Sequence, residues 1–380
     1  MPRKFDLIIA GAGVGGVHLA DFLKKRGFSG SIALLEKRAV PFVKPCAGVI
    51  TLKTLHLSGT NFEPFIQQKM DRLHCAYEYQ NEEDLTLASP FIFRLNRAQW
   101  LGSLLSSSMR GGVEFFENIQ VVNYEEHADS VLVPTDQGVL ESRFLVVATG
   151  SLDMNGQKRG RGFARGLQAY LSHPDPSLLE YHRSKMGYDF GLIPFGYGWI
   201  FSDDGHLLIG IFSRLMREQS LKRALYKYIN QKPTLKGYSR LWGVETHPMF
   251  LPSQEVLQGV LRGSHRILYI GEAARLVDPF TGEGIYYAIK SANLAAEVLL
   301  SEKEDTVGWL YKDKVVREII PDLAAAWELS EEFYAYPQYY YRKLLERKQI
   351  FGELLAGEMR YKEFLAQLKK GKPLERYARE

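Results

Sequence analysis

The feature that most constrains the fold is a set of closely spaced glycines between a short apolar run and a helical pattern. Residues 5–10 (FDLIIA) form a continuous apolar run, which is typical of a strand buried on both faces. Gly11, Gly13 and Gly16 follow with the spacing GxGxxG. Behind them, an apolar stripe at helical spacing ends in basic residues just before Gly27, which predicts a helix. The segment is therefore predicted to open a nucleotide-binding α/β unit.

Each glycine has a physical role in such a unit. Gly11 permits a tight turn, Gly13 lets the backbone approach a pyrophosphate, and Gly16 lets helix and strand pack closely. A second apolar strand, residues 31–35, ends at Glu36, twenty residues after Gly16. An acid at this place accepts the hydroxyls of the adenosine ribose, and the helix N-terminus attracts the phosphates. The pattern favours FAD or NAD over NADP and leaves the first two open.

Composition excludes several other classes of protein. A chain of 380 residues suffices for two lobes, and 46% hydrophobic with 24% charged residues is the balance of an ordinary folded protein. The two cysteines and nine histidines lack ligand spacing, so we expect no disulfide scaffold and no metal. A net charge of +4 does not indicate nucleic-acid binding, and no apolar run reaches the length of a membrane span. We expect a cytoplasmic protein and leave attachment to a membrane surface open.

A second glycine-rich pattern lies far downstream. Residues 266–270 (RILYI) predict another buried strand, and Gly271 and Glu272 follow it directly. A PxxGxG turn containing Gly282 and Gly284 then precedes a helix with one apolar face. This pattern resembles the second FAD motif of the flavoproteins that include aromatic hydroxylases and geranylgeranyl reductases. The resemblance favours FAD over NAD.

The same resemblance implies a role for each of these residues. The acid after the first glycine, Glu272 here, would hold the ribityl chain. The group usually has Asp at this place. The side chain of Glu is one methylene longer, so the contact would be shifted or made through water. The turn at Gly282 and Gly284 would point a helix N-terminus at the flavin N1/C2 carbonyl, where reduced flavin carries negative charge. Arg97 matches an arginine that opens a helix near the FAD phosphates; the alternative is a solvated arginine at a helix start.

The electron donor stays open. Residues 145–150 (LVVATG) predict a strand by which the chain returns to the nucleotide lobe. The Asp-Gly motif that hydroxylases carry in this region, linked there to both FAD and NADPH, is replaced by residues 149–151 (TGS). The donor is therefore NAD(P)H or ferredoxin, and a donor protein is left open as a partner.

Two further segments favour the geranylgeranyl reductase family, which the chain resembles over residues 1 to 330. Residues 44–50 (KPCAGVI) resemble the family's cysteine-glycine loop beside the isoalloxazine, which implies a catalytic place for Cys46; the alternative is a small buried hydrophobe. Residues 196–201 (GYGWIF) resemble the GYxWxFP signature, with Ser202 in place of the proline. Tyr197, Trp199 and Phe201 would then line an apolar substrate channel, unless they are only core.

The expected fold is α/β, with a Rossmann-like FAD-binding lobe interleaved with a β-sheet substrate lobe and followed by C-terminal helices. The FAD lobe is expected to comprise residues 1–75, 90–155 and 264–304, and the substrate lobe residues 156–263. The tail, residues 305–380, is expected to be helical, with its tyrosines packed against the FAD lobe. The tyrosines could instead close the substrate channel.

The resemblance implies reduction of carbon-carbon double bonds in a prenyl, geranylgeranyl-type chain on a lipid, quinone or chlorophyll precursor. Alternatives are an FAD-dependent monooxygenase of the aromatic hydroxylase type and a nonenzymatic prenyl carrier. A prenylated, lipid-like small molecule is thus the expected partner. The basic run at residues 158–165 (KRGRGFAR) is either a solvated loop or a contact for an anionic membrane surface.

Overall fold

The computed structural model describes residues 2–40, 46–151, 163–203, 205–301 and 306–370. Most of the basic run, residues 158–162, lies outside these ranges, as do Lys44 and Pro45. The strands, in chain order, are β1 (Arg3–Ala10), β2 (Ile32–Glu36), β3 (Val49–Thr51), β4 (Ile66–Met70), β5 (Arg72–Tyr77), β6 (Gln80–Thr86), β7 (Ile92–Leu95), β8 (Val113–Glu117), β9 (Glu125–Glu126), β10 (Val131–Thr135), β11 (Gly138–Val147), β12 (Phe163–Ser172), β13 (Lys185–Phe190), β14 (Gly196–Asp203), β15 (His206–Ser213), β16 (Arg240–Phe250) and β17 (Ile267–Tyr269).

Helices cover the first sheet and form the C-terminal region. In chain order they are α1 (Val14–Lys25), α2 (Leu52–Ser58), α3 (Arg97–Arg110), α4 (Pro176–His182), α5 (Glu218–Gln231), α6 (Gln254–Leu257), α7 (Ile285–Leu299), α8 (Val307–Glu318), α9 (Ile320–Ala335), α10 (Pro337–Glu346), α11 (Lys348–Ala356) and α12 (Tyr361–Lys369). Within the described ranges, none of them has the length and apolar character needed to cross a bilayer.

The first sheet is the predicted nucleotide-binding lobe. Its strand order is β8-β2-β1-β11-β10-β9, with β17 beside β11. β1 runs parallel to β2 and β11, and β17 runs parallel to β11. α1 packs against α3 and α7. Parallel strands joined through helices are the arrangement that the glycine spacing predicted, and the α/β fold class is confirmed.

The second sheet has the order β16-β12-β15-β14-β13-β5-β6 and is largely antiparallel, except that β5 runs parallel to β13. β5 and β6 therefore belong to this sheet, although the predicted first segment of the FAD lobe extended to residue 75. We propose a boundary before Arg72, because β5 pairs with a strand more than a hundred residues later, and no local pattern indicates that pairing. The remaining lobe boundaries stay a proposal.

The C-terminal helices pack on the face of the second sheet that carries Tyr188 and Phe190 of β13, which we call the aromatic face. Phe333 of α9 and Phe351 of α11 contact Phe190 and Tyr188 of β13, with ring centroids 4.9 and 5.8 Å apart. The Tyr341 hydroxyl donates to the carbonyl of Cys75 in β5 at 3.0 Å. Tyr341 therefore packs on the second sheet, and the packing of the tail tyrosines against the FAD lobe stays a prediction.

Candidate functional site

The nucleotide loop, residues 11–16, has the geometry that its glycines require. Gly11 has φ +108°, and a Cβ atom there would lie 2.5 Å from the Ala148 carbonyl oxygen. A Cβ atom on Gly16 would lie 1.9 Å from the Gly11 carbonyl oxygen, so helix and strand could not approach. At Gly13, by contrast, no atom of the part of the chain that the structure describes lies within 4 Å of the Cβ position. The backbone is therefore open at the residue predicted to face a pyrophosphate.

Glu36 lies buried at the end of β2 and is bonded to the nucleotide loop. Its Oε2 accepts the backbone N–H of Ala12 at 3.1 Å, and Oε1 accepts the N–H of Arg38 at 3.2 Å. The carboxylate thus orders the loop, a role that the sequence did not indicate. A carboxylate has further lone pairs, so these bonds leave capacity to accept ribose hydroxyls.

The flavin loop, residues 278–284, is organised by a buried acid. Oδ1 of Asp278 accepts the backbone N–H groups of Phe280 at 2.7 Å and Thr281 at 3.0 Å. Gly282 takes φ +74°, which other residues adopt only with strain. Gly284 then caps the N-terminus of α7. The loop is therefore held in one shape, with the helix end behind it.

Asp278 is also linked to the C-terminal helices. The hydroxyl of Tyr361, the first residue of α12, donates to Oδ2 of Asp278. Burial raises the pKa of Asp278, and the charge of Lys53 works in the opposite direction. The last described helix thus contacts the flavin loop directly, which the sequence did not predict.

Gly271 and Glu272 follow β17, and Gly271 lies against α7. A Cβ atom on Gly271 would lie 3.1 Å from the Cβ atom of Ala288, so the glycine permits close approach to α7. Glu272 Oε1 accepts the N–H of Phe250 at 3.1 Å, and Oε2 lies 3.7 Å from Nε2 of His247. The carboxylate is thus directed towards β16, and its contact with a ribityl chain stays a prediction.

The aromatic residues of β14 lie on one face of the second sheet. Tyr197, Trp199 and Phe201 are two residues apart, so all three side chains point the same way. Trp199 pairs with Tyr188 of β13 and with Gly210 of β15. The indole occupies the space over Gly210, where a Cβ atom would lie 2.0 Å from a ring carbon.

The aromatic face meets the flavin loop through one hydrogen bond. The Tyr197 hydroxyl donates to the Thr281 carbonyl oxygen at 2.5 Å. Burial raises the pKa of Tyr197, and the charges of Asp278 and Glu283 add to that effect. The phenol therefore stays protonated and keeps donating, so the sheet and the loop are held in register.

Cys46 is partly exposed and lines the same cavity as the aromatic residues of β14. The backbone N–H of Gly48 donates to its Sγ at 3.4 Å. The other cysteine, Cys75, is buried in β5, and burial raises the pKa of its thiol. Of the two thiols, Cys46 is the one that lies in the candidate site.

The sequence did not indicate Lys53 or assign a role to Glu283. Lys53 of α2 lies with its Nζ 2.9 Å from Oε2 of Glu283, and Oε1 of Glu283 accepts the hydroxyl of Thr51 at 2.8 Å. The two charged residues are 230 positions apart, so no spacing rule connects them. For Glu283 alone the sequence did contain a usable signal, because an acid just before a predicted helix is typical of a helix N-terminus.

These elements open into one cavity of about 310 Å³. It is lined by most of the predicted site residues: Gly13, Cys46, Arg97, Tyr197, Trp199, Phe201, Gly271, Glu272, Gly282 and Gly284. Gly11, Gly16 and Glu36 do not line it; they shape the nucleotide loop beside it. Arg97 lies at the start of α3, where the Asn96 side chain caps the helix by accepting the N–H of Gln99 at 3.1 Å.

Comparison of the fold defines the class of protein. No protein-family model matches the chain. A geranylgeranyl bacteriochlorophyll reductase-like protein from Thermoplasma acidophilum superposes with a TM-score of 0.74 at 18% identity, covering 88% of each chain. Halogenase PltM in complex with phloroglucinol and FAD superposes with a TM-score of 0.69 at 13% identity, covering 92% of this chain and 82% of that one. The protein thus has the fold shared by these reductase-like and halogenase flavoproteins.

The sequence comparison specifies the family within that class. The chloroplastic geranylgeranyl diphosphate reductase of Nicotiana tabacum is 30% identical over 323 residues, which are 80% of this chain and 67% of the relative. The chain belongs to the geranylgeranyl reductase family, and the resemblance expected from the motifs is confirmed. It is an enzyme of the oxidoreductase class.

Proposed function

We propose that the protein is an FAD-dependent oxidoreductase that saturates carbon-carbon double bonds of a prenyl, geranylgeranyl-type chain on a lipid, quinone or chlorophyll precursor. The observation that carries this proposal is the single cavity that joins the nucleotide loop, the flavin loop, Cys46 and the aromatic face of β14. A cofactor in the two loops would have its reactive end against an apolar surface. The electron donor, NAD(P)H or ferredoxin, is not part of the proposal.

The residues present fit FAD. The space at Gly13 is where a pyrophosphate would approach the backbone, and it lies at the N-terminal end of α1. Glu36 has remaining acceptor capacity for ribose hydroxyls, and Arg97 lines the cavity as a cation for phosphate. Gly282 and Gly284 place the N-terminus of α7 at the cavity wall, where it would favour negative charge on a reduced ring. When bound and reduced by its electron donor, the cofactor would supply hydride.

The chain itself supplies an apolar, water-poor surface for the substrate. Tyr197, Trp199 and Phe201 are each at least nine-tenths buried and border the cavity. A prenyl chain offers little besides apolar area, and burial of such area contributes about 25 cal/mol per Å². A charged aromatic acid would lose hydration in the same place without an equivalent gain. This chemistry favours a prenyl substrate over the polar substrates of aromatic hydroxylases.

Reduction of an isolated alkene also requires a proton at the second carbon. Cys46 lines the cavity and is partly exposed, so its thiol could deliver a proton or only shape the site. Tyr188 and Tyr197 are poor proton donors, because burial raises the pKa of both phenols and each holds its proton tightly. Cys46 is therefore the proposed catalytic residue.

The proposed function is tested by reducing the purified holoenzyme under argon and adding a prenylated lipid. We expect reoxidation of the cofactor, a mass increase of two hydrogens in the product, and deuterium in the product when the reduced cofactor is labelled. If prenyl lipids do not reoxidise the reduced protein under argon, but the protein incorporates oxygen into a product in air, the monooxygenase alternative is correct.

Contact with an anionic membrane surface is proposed from the basic run at residues 158–165 and the lipid substrate. Each basic residue near such a surface contributes about 1 kcal/mol. Flotation with anionic liposomes should therefore weaken as salt rises. Equal recovery with neutral and anionic vesicles would show that the basic run is only a solvated loop.

A further inference from the structure

The N-terminus of α7 carries a charge arrangement that the helix alone does not explain. A helix N-terminus supplies roughly half a positive charge. Glu283, one residue before the Gly284 cap, lines the cavity and places a carboxylate at this end. An uncompensated carboxylate there would cancel the positive potential that a reduced flavin needs. A nearby cation is therefore required if the helix end is to stabilise added negative charge.

Lys53 is that cation. Its Nζ lies 2.9 Å from Oε2 of Glu283 and 4.5 Å from the centre of the Tyr286 ring, so both contacts hold it beside α7. Its side chain is 18% exposed, and it lines the cavity together with Glu283. Burial alone would lower the pKa of Lys53, but the charges of Glu283 and Asp278 outweigh burial and raise it. The ammonium therefore stays charged.

Glu283 has two hydrogen-bond partners besides Lys53. The hydroxyls of Thr51 and Thr54 both donate to Oε1, at 2.8 and 3.3 Å. A hydroxyl carries no net charge, so neither bond supplies a cation. Loss of the lysine would therefore expose negative charge at the flavin loop.

We propose that Lys53 is a positioning residue that neutralises Glu283, so that this carboxylate does not cancel the positive potential that the N-terminus of α7 presents to the reduced cofactor. The inference rests on the proposed FAD site. The pair tunes the relative affinity of the protein for reduced and oxidised FAD, and therefore the reduction potential of the bound cofactor. The contribution acts through charge, and the lysine takes no part in proton transfer to the substrate.

The test compares the direction in which the reduction potential changes when either the positive or the negative charge of the pair is removed. In Lys53→Met, uncompensated Glu283 should weaken binding of reduced FAD relative to oxidised FAD by about tenfold, which lowers the potential by about 30 mV. In Glu283→Gln, uncompensated Lys53 should raise the potential by a similar amount. The double variant should return close to the wild-type potential. The measurement is a redox titration of the holoenzyme against a reference dye.

The matched control is the pair at the other end of the same helix. Lys314 Nζ lies 2.8 Å from Oε2 of Glu297, fourteen residues beyond Glu283, so the pair is roughly 20 Å away along the helix. Lys314→Met and Glu297→Gln should leave the potential unchanged, since charges at this distance are screened. Lys53→Arg keeps the charge and should retain the wild-type potential.

The outcomes separate this inference from the proposed function. If all variants bind FAD but the two single substitutions shift the potential in the same direction, or not at all, the inference fails and the FAD site stands. If Lys53→Met does not fold, Glu283→Gln alone still decides, because an unchanged or lowered potential overturns the proposal. If the wild type binds no FAD, both proposals fail.

Discussion

The indole of Trp199 lies over Gly210, its direct partner on β15, and a Cβ atom on Gly210 would be 2.0 Å from a ring carbon. Because Gly210 has no side chain, it leaves room for the indole, which is the largest aromatic side chain of β14. The position of the indole at the cavity wall depends on a residue in a different strand. A change at Gly210 should thus act on the substrate site without touching the nucleotide loop.

Gly210→Ala should displace the Trp199 ring and weaken binding of a prenyl lipid, at an overpacking cost of about 1–3 kcal/mol in stability. Trp199→Ala should weaken binding of the same lipid by about 3 kcal/mol if the ring is buried against the chain. Substrate affinity and thermal unfolding of the FAD-loaded protein are the measurements. Gly102→Ala lies at an exposed position of α3, where no atom of the described residues is within 4 Å of the Cβ position, and is the control. It should leave lipid affinity unchanged and raise stability by up to about 1 kcal/mol, because alanine favours a helix more than glycine does. Unchanged lipid affinity in both cavity variants would place the substrate elsewhere.

Glu36→Gln should weaken FAD binding by an amount on the order of 2 kcal/mol, because it removes charge-assisted bonds to the ribose and to the N–H of Ala12. Glu36→Arg should abolish binding. Flavin fluorescence during titration of the apoprotein measures the affinity. Glu63→Gln, on an exposed ion pair with Lys69, should bind FAD normally. A purified wild type that is colourless and cannot be reconstituted would contradict the FAD site itself.

Cys46→Ser should retain FAD while reoxidation by a prenyl lipid becomes slower, because the change affects the reacting face of the cavity and leaves the nucleotide loop intact. Stopped-flow absorbance under argon gives the rate. Cys75→Ala changes a thiol buried in β5, away from the cavity lining, and should reduce stability but not the reoxidation rate. An unchanged rate in Cys46→Ser would remove this residue from the catalytic assignment.

His182→Leu should stabilise the protein against acid. Both ring nitrogens of His182 are buried and have no hydrogen-bond partner among the described residues, and burial lowers its pKa to about 3. The unfolded chain takes up a proton near pH 6.5 and the folded protein does not, so stability falls as the pH drops below 6.5. At pH 5 the loss from this group is roughly 2 kcal/mol.

Urea unfolding at pH 5 and pH 8 measures that difference. We expect the wild type to lose more stability between the two pH values than His182→Leu does. His127→Leu, at an exposed histidine, should lose as much as the wild type. Parallel losses in all three proteins would show that His182 is protonated in the folded state.

The sequence by itself determined the elements whose signals are local. The glycine spacing from Gly11 to Gly16, the acid at Glu36 and the apolar face of α7 each follow from backbone sterics or side-chain periodicity within a short stretch. These signals also carried the family, because the motifs at Cys46 and Tyr197 are contiguous. The α/β class and the nucleotide lobe could therefore be predicted from the sequence alone.

Only the tertiary structure decided which distant residues meet. The pairing of β5 with β13, the contact of Tyr361 with Asp278, and the ion pair of Lys53 with Glu283 join segments that are far apart in the chain. Each side chain in these pairs is compatible with many partners, since charge and hydrogen-bonding capacity are common to all residues of a type. The partner is selected when the two sheets and the C-terminal helices bury their apolar faces together, and that global packing leaves no periodic signal in the sequence.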